Sequence, residues 1–348
     1  MPEAVYISLR DQYLRRLETV YEQVASPIQA PGKDTYGDVD ILASAPQSDD
    51  SVKALEELLD ATTSISSRNS VTRSFAVPYP GSSEDYVQVD VHVCPPETFQ
   101  WELFQQSHGD MWNLIGTSLR PFGLTANNVG FHLRIEEIEE IDRRRSMLFL
   151  TSDPSRVLTF IGLDESQYWR SFKTTDDLYN YVTTFRFFLP ERYEREILKS
   201  SDRKRSAQRI VFRTFIDEWL PARRSQFSQR WTGPELREAV MLEACKEFGV
   251  AERYAIMLRE WSEERKELLA KQNTNEWRRA ASLARVEEMR LEIEYAEEWI
   301  RHLNNRSDVI QSLQAESRRS FRHRLDWHRP LNSHKSSVAN NNNGRLCV

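Results

Sequence analysis

The chain has 348 residues, of which 11% are aromatic and 29% charged, and its net charge is −6. This composition predicts one large or two ordinary globular domains and excludes a disordered chain. The acidic balance argues against unselective coating of nucleic acid. No apolar run approaches the roughly 20 residues that cross a bilayer, and the N-terminus lacks signal-peptide features. We therefore expect no membrane partner and an intracellular protein, in the cytoplasm or nucleus. The cysteines fit neither a disulfide framework nor a zinc pattern: they are Cys94, Cys245 and Cys347.

Residues 1–25 have the spacing of an amphipathic helix. Apolar side chains recur three or four residues apart, at Val5, Leu9, Tyr13, Leu17, Val20 and Tyr21. We expect this helix to precede the strands of region 26–100.

Two carboxylates stand at the start of an apolar run within the segment from Gly32 to Leu42. Asp38 and Asp40 are two residues apart, so on a strand their side chains point to the same face. An Asp-x-Asp pair alone is also typical of a solvated turn, and glycosyltransferases use one as well. After this strand we predict a helix over Val52–Leu59 and loops over 62–69 and 79–85.

A second strand is predicted over 87–93, where valine occupies every other position. Strict alternation places Asp90 with Gln88 and His92 on the face opposite the valines. If the two strands are neighbours, Asp90 adds a third carboxylate to Asp38 and Asp40. Such a cluster suits one or two Mg²⁺ (or Mn²⁺) ions. His92 contacts the metal or a phosphate in one interpretation and hydrogen-bonds to a neighbour in the other.

Residues 32–42 resemble the palm motif of family X DNA polymerases, within the polymerase-beta-like nucleotidyltransferase superfamily. The similarity continues over 87–99, where that family carries its third catalytic aspartate, and more faintly over 103–113 and 122–128. The arrangement, with a long helical extension, is also similar to a group of fungal proteins. The resemblance implies an α+β fold: a small mixed β-sheet nucleotidyltransferase palm with flanking helices, followed by an α-helical C-terminal region. It implies catalytic, metal-binding roles for the aspartates and nucleotide-binding roles for a preceding loop: Asp38, Asp40 and Asp90 in the first group, Gly32, Lys33 and Gly37 in the second.

The sequence departs from this family just before the motif. The family grips the incoming triphosphate with a Gly-Ser pair and an arginine, whereas an ungapped alignment places Pro27-Ile28 and Ala30-Pro31 there. Proline has no N–H to offer a phosphate and isoleucine has no hydroxyl. Either Ser26 and Lys33 substitute for the missing groups, or the grip is lost. The aromatic pair that screens the sugar is also incomplete, so selection of the ribose is not implied.

The predicted organisation has four parts: a nucleotidyltransferase-like palm (1–100), an α-rich nucleotide-side subdomain (101–190), a helical extension (191–329) and a disordered tail (330–348). Within the second part, Asp153-Pro154-Ser155 begins a helix that ends near Gly162. The sequence from Thr174 to Asp177 begins another that runs to Phe188.

The extension begins with a series of cations in segment 192–213, spaced so that many of them would share one helix face. In one interpretation they bind phosphates of an RNA or DNA end. In the other they form a solvated helix paired with Glu191, Glu194, Glu196 and Asp202. Residues 250–328 lack Gly and Pro and predict long helices, and a 3-4 apolar spacing there fits a helix packed on its own chain or a short coiled coil: Val286, Met289, Ile293, Ala296, Ile300, Leu303 and Ile310.

Together these features predict a metal-dependent enzyme that transfers a nucleoside monophosphate from an NTP to a hydroxyl acceptor, such as a nucleic-acid 3′ end. Two alternatives remain at the sequence level. The first is a degenerate nucleotidyltransferase fold that binds nucleotide or RNA without chemistry. The second is an enzyme that modifies a small molecule or a protein hydroxyl.

Overall fold

The computed structural model describes residues 1–66, 70–82, 84–227 and 234–272, together with 283, 285–295, 297 and 298. The fold is α+β, as predicted, with a small mixed sheet followed by a helical C-terminal region. None of the described helices is both long and apolar enough to span a bilayer.

A five-stranded sheet forms the N-terminal part of the molecule, in the spatial order β1-β2-β5-β4-β3. Its strands are β1 (Tyr21–Ala25), β2 (Asp38–Pro46), β3 (Thr63–Ser66), β4 (Thr72–Pro78) and β5 (Tyr86–Val93). Strands β2 and β5 are parallel, and the other neighbours are antiparallel.

Two helices cover one face of this sheet: α1 (Glu3–Leu17) and α2 (Val52–Leu59). Every second residue of the central strands is buried beneath them, including Val39, Phe75 and Val89. The alternate residues therefore lie on the opposite face, where the predicted carboxylates are.

The helix over Val52–Leu59 is confirmed. The described residues of 79–85 form no helix or strand, as predicted, and the Tyr79 N–H donates to the Asp85 carbonyl (2.9 Å). Two other predictions in this part were wrong. The first helix ends at Leu17, and Tyr21 begins strand β1. Val20 and Tyr21 pack in the same core as α1. They are apolar because of this packing, and their three- and four-residue spacing from Leu17 only coincides with that of a helix. The predicted loop 62–69 contains the short edge strand β3, whose serine-rich sequence is untypical of strands.

Residues 101–190 also contain a second sheet, so the expectation of a mostly helical region was incomplete. This antiparallel sheet has strands β6 (Leu124–Ala126), β7 (Phe131–Arg134) and β8 (Met147–Thr151). Strands of three to five residues are too short to show a clear alternation in sequence. The helices of this part are α3 (Phe99–Gln106), α4 (Met111–Leu119), α5 (Glu136–Glu139), α6 (Pro154–Ile161), α7 (Glu165–Tyr168) and α8 (Thr175–Thr183).

The predicted starts of α6 and α8 are confirmed by their capping geometry. The Asp153 side chain accepts hydrogen bonds from the first turn of α6, and Gly162 ends that helix in the left-handed conformation. Thr174 and Asp177 form a capping box on α8. Helix α8 ends at Thr183, however, and not at Phe188. The buried rings of Phe185 and Phe188 pack in the core from the turn that follows.

The helical extension begins with a short 3₁₀ turn (Pro190–Tyr193). Its longer described elements are α9 (Ser200–Gln208), α10 (Ile210–Thr214), α11 (Leu220–Arg223), α12 (Pro234–Phe248) and α13 (Ala251–Gln272). One hydrophobic core runs from Trp101 to Trp261, so the extension and the preceding region pack together.

Residues 285–295 are helical, which agrees with a long-helix prediction for that stretch, and Met289 packs against this core. The rest of the predicted apolar repeat (Ala296, Ile300, Leu303 and Ile310) and the tail 330–348 lie outside the described residues.

Candidate metal centre

The three predicted carboxylates meet on the face of the first sheet opposite α1 and α2. Because β2 and β5 are parallel neighbours, Asp40 lies directly opposite Asp90, and Asp38 opposite Gln88. Carboxylate oxygens of Asp38, Asp40 and Asp90 all lie within 4.8 Å of one another. In the part of the chain that the structure describes, this is the one group of three or more His, Cys, Asp or Glu residues that meets this distance.

The electrostatics of the cluster favour a bound cation. Burial raises the pKa of Asp40 to about 6, and the negative charges of Asp38 and Asp90 contribute to this rise; Lys33 acts in the opposite direction. A divalent cation removes the same repulsion without a proton. An all-oxygen donor set fits Mg²⁺ or Mn²⁺, because hard cations prefer carboxylate ligands.

Neighbouring polar groups orient the Asp90 carboxylate and hold the main chain at Asp40. The Gln88 side chain donates from Nε2 to both carboxylate oxygens of Asp90, at 3.0 Å each. Ser26, the residue after β1, donates from Oγ to the main-chain carbonyl of Asp40 at 2.8 Å, which ties this position to strand β2. The position of Gln88 on this face could be predicted from the alternation in sequence. The contact of Ser26 could not, because it depends on how the loop after β1 folds.

His92 shares the sheet face with Asp90, as predicted, but both of its ring nitrogens are engaged elsewhere. Nδ1 lies 2.9 Å from Thr72 Oγ1, and Nε2 lies 2.7 Å from Glu102 Oε2 on α3. The hydrogen-bonding interpretation of His92 is therefore the one that the structure supports.

The loop between β1 and β2 is bound to the connection between α3 and α4. Ile28 N–H donates to Ser107 Oγ (3.2 Å), and its carbonyl accepts from His108 N–H (2.6 Å). Both the N–H and the carbonyl of Ile28 are thus occupied by this contact. His108 is fully buried, and burial lowers the pKa of its ring to about 4. The contact of His108 with Ile28 could not be predicted, because nothing in the spacing of the histidines indicates it.

Lys33 is an exposed residue of the β1–β2 loop. Its ammonium donates to Gln29 Oε1 at 2.7 Å and is 5.4 Å from the ring centre of Tyr36. The positive charge is close enough to favour the charged form of Asp40. Lys33 therefore contributes positive charge near the carboxylate cluster.

The two candidate glycines of the loop differ in their surroundings. Gly32 has φ +71°, and a Cβ there would lie 2.8 Å from Thr175 Oγ1 at the start of α8. Gly37 has no atom within 4 Å of such a Cβ. Gly32 thus has a structural reason to be glycine, and the open space at Gly37 is next to Asp38.

We expect Gly32→Ala to lower the free energy of unfolding by about 1–3 kcal/mol. The added Cβ disfavours the left-handed backbone conformation and lies too close to Thr175 Oγ1. Gly37→Ala is the matched control and should change stability by less than about 0.5 kcal/mol. Denaturant unfolding of the two variants checks this. Adding Thr175→Ala should recover part of the loss in Gly32→Ala; equal stability of Gly32→Ala and wild type would contradict the assignment.

The cations of segment 192–213 do not share one helix face, contrary to the prediction. The chain there passes through the 3₁₀ turn, α9 and α10. Some cations are paired: Arg195 contacts Asp217 (2.5 Å), and Arg205 contacts Asp202 (2.8 Å). Asp202 is one of the predicted acidic partners of these cations, whereas Asp217 is not. Arg192 and Lys199 instead line a cleft between the helices.

Comparison with known proteins adds no relative: no protein-family model matches the chain, and no curated protein matches it.

Proposed function

We propose that the chain is a metal-dependent nucleotidyltransferase that moves a nucleoside monophosphate from an NTP to a hydroxyl acceptor. The observation that carries the proposal is the parallel pairing of β2 with β5, which sets Asp40 opposite Asp90 and beside Asp38. Asp38 is exposed, and Asp40 and Asp90 are partly exposed, so a substrate can approach the three carboxylates. An intracellular location belongs to the same proposal: Cys94 and Cys245 are buried free thiols.

Each carboxylate has its own part in the proposed reaction. Asp38 and Asp40 would hold both ions, and Asp90 the one beside the attacking hydroxyl. The bound ions would lower the pKa of that hydroxyl and neutralise charge on the triphosphate and the leaving pyrophosphate. The acceptor oxygen forms a bond to the α-phosphorus, the bond to the β-phosphate oxygen breaks, and the hydroxyl proton leaves to solvent. Gly32, Lys33 and Gly37 remain the proposed nucleotide-side residues, with Lys33 as the cation.

A second function is favoured by one observation. The N–H of Ile28 is already bound to Ser107, and Pro27 and Pro31 have no N–H, so this loop offers few donors to a triphosphate. A degenerate fold that binds nucleotide or RNA without turnover is consistent with that loss. In either case, a nucleic-acid end is proposed to contact exposed cations of segment 192–213, such as Lys204 and Arg209, that do not line the cleft.

The test is incorporation of labelled NTPs and dNTPs into short RNA and DNA primers with Mg²⁺ or Mn²⁺. We expect wild type to extend a primer, and the Asp38→Ala/Asp40→Ala variant to be inactive. Asp34→Asn, an exposed carboxylate of the same loop, is the control and should retain activity. Label transferred to a small molecule or protein without nucleic acid would reassign the acceptor. Metal binding without transfer to any acceptor would support the degenerate fold instead.

A further inference from the structure

A cleft of about 290 Å³ lies in the helical part of the molecule, away from the metal centre. Its walls come from the end of α4, strand β7 with α5, the 3₁₀ turn with α9, and α12. Gly109, just before α4, faces Ala30 in the β1–β2 loop, whereas Arg120, just after α4, lines the cleft. The nine residues of α4 span about 13 Å between its start, near the β1–β2 loop, and its end, at the cleft. The cleft is thus a separate feature from the carboxylate cluster.

Five cationic side chains line this cleft: Arg120, Arg134, Arg192, Lys199 and Arg237. Three of them are held by carboxylates in the cleft wall. Arg120 pairs with Asp202, Arg134 pairs with Glu139, and Arg237 pairs with the same Glu139 at 2.8 Å. Asp202 and Arg134 are almost fully buried, which fixes this framework in place.

The other two cations have no carboxylate within ion-pair distance among the described residues: Arg192 and Lys199. Burial, followed by the positive charges of Arg120, Arg134 and Arg143, lowers the pKa of the Lys199 ammonium. Lys199 also precedes the first turn of α9, which no side chain caps. Arg192 and Lys199 therefore add positive charge to the cleft that no carboxylate within ion-pair distance offsets among the described residues.

We propose that this cleft binds the phosphate groups of a phosphorylated small molecule. Arginine side chains bind phosphate oxygens in a bidentate manner, and a lysine adds a point charge. The volume is enough for one or two phosphates with a small attached group. The exposed carboxylates of Glu136 and Glu140 at the cleft would repel an extended polyanion, so a compact dianion fits better than a nucleic-acid strand.

The proposal is tested with inorganic pyrophosphate in EDTA, so that metal cannot contribute. Calorimetry and thermal unfolding of the full chain should show binding and a higher Tm for wild type, at constant ionic strength. Lys199→Ala and Arg192→Ala should each weaken binding by about 10- to 100-fold. Lys199→Arg, which keeps the charge, should retain most of the affinity.

Two control variants show whether binding is confined to this cleft. Lys204→Ala removes an exposed cation of α9 outside the cleft and should bind like wild type. Asp38→Ala/Asp40→Ala should also bind like wild type, since the cleft does not depend on the metal centre. The proposal is overturned if wild type shows no binding, if the double variant Arg192→Ala/Lys199→Ala keeps its affinity, or if Lys204→Ala loses as much as Lys199→Ala. Failure of primer extension would leave this result unaffected.

Discussion

Asp90→Asn is expected to lower nucleotide transfer by about 100- to 10,000-fold, corresponding to several kcal/mol of lost stabilisation at the reacting oxygen. The fold should be retained, because asparagine has nearly the same shape and its carbonyl still accepts from Gln88 Nε2, which lies 3.0 Å from both Asp90 oxygens. Asp90 is assigned to the acceptor side alone. Binding of the nucleotide with Mg²⁺ should therefore change far less than turnover.

Single-turnover rates and nucleotide affinity, measured for Asp90→Asn beside Asp38→Asn, separate the two roles. Asp38→Asn should weaken both nucleotide binding and transfer, because Asp38 is proposed to hold both ions. Asp34→Asn is again the matched carboxylate, outside the cluster. An Asp90→Asn protein with full activity would refute the assignment, and one that loses only nucleotide affinity would exchange the roles of the two aspartates.

The carboxylate cluster could be predicted because strand geometry is local. Residues two apart on a strand share a face, so the sequence places Asp38 with Asp40, and Asp90 with Gln88 and His92. The pairing of β2 with β5 was conditional, since α2, β3 and β4 lie between them in the chain. The capping residues of α6 and α8 were predictable for the same local reason.

Features that depend on distant contacts could not be predicted. Tyr21 packs in the core beside α1 but belongs to strand β1, so its apolar character does not indicate a helix. The main chain of Ile28 is bound by Ser107 and His108, some eighty positions later, and no local pattern marks that contact. The cationic cleft likewise assembles from α4, β7, α9 and α12, whose charged residues form no local motif.

The raised pKa of Asp40 predicts that metal-free protein loses stability as the pH rises through this group's titration range. The ordinary pKa of 3.8 applies to the unfolded chain, and the folded value is about 6. Between those values the folded state binds more protons than the unfolded state, so the free energy of unfolding falls with rising pH. Because Asp40 is partly exposed and solvent screens its charge, we expect a loss on the order of 2 kcal/mol, complete above the folded pKa.

Asp40→Asn isolates this effect, because the variant carries the neutral form at every pH. In EDTA it should match wild type at low pH and exceed its free energy of unfolding by on the order of 2 kcal/mol at neutral pH. His108, whose pKa is lowered to about 4, titrates with the opposite sign, but it does so in both proteins and cancels in the difference. Saturating Mg²⁺ should stabilise wild type at neutral pH and leave Asp40→Asn nearly unchanged, since a bound ion and a lost charge relieve the same repulsion. A pH-independent difference, or equal stabilisation of both proteins by Mg²⁺, would mean that the three carboxylates do not act as one cation site.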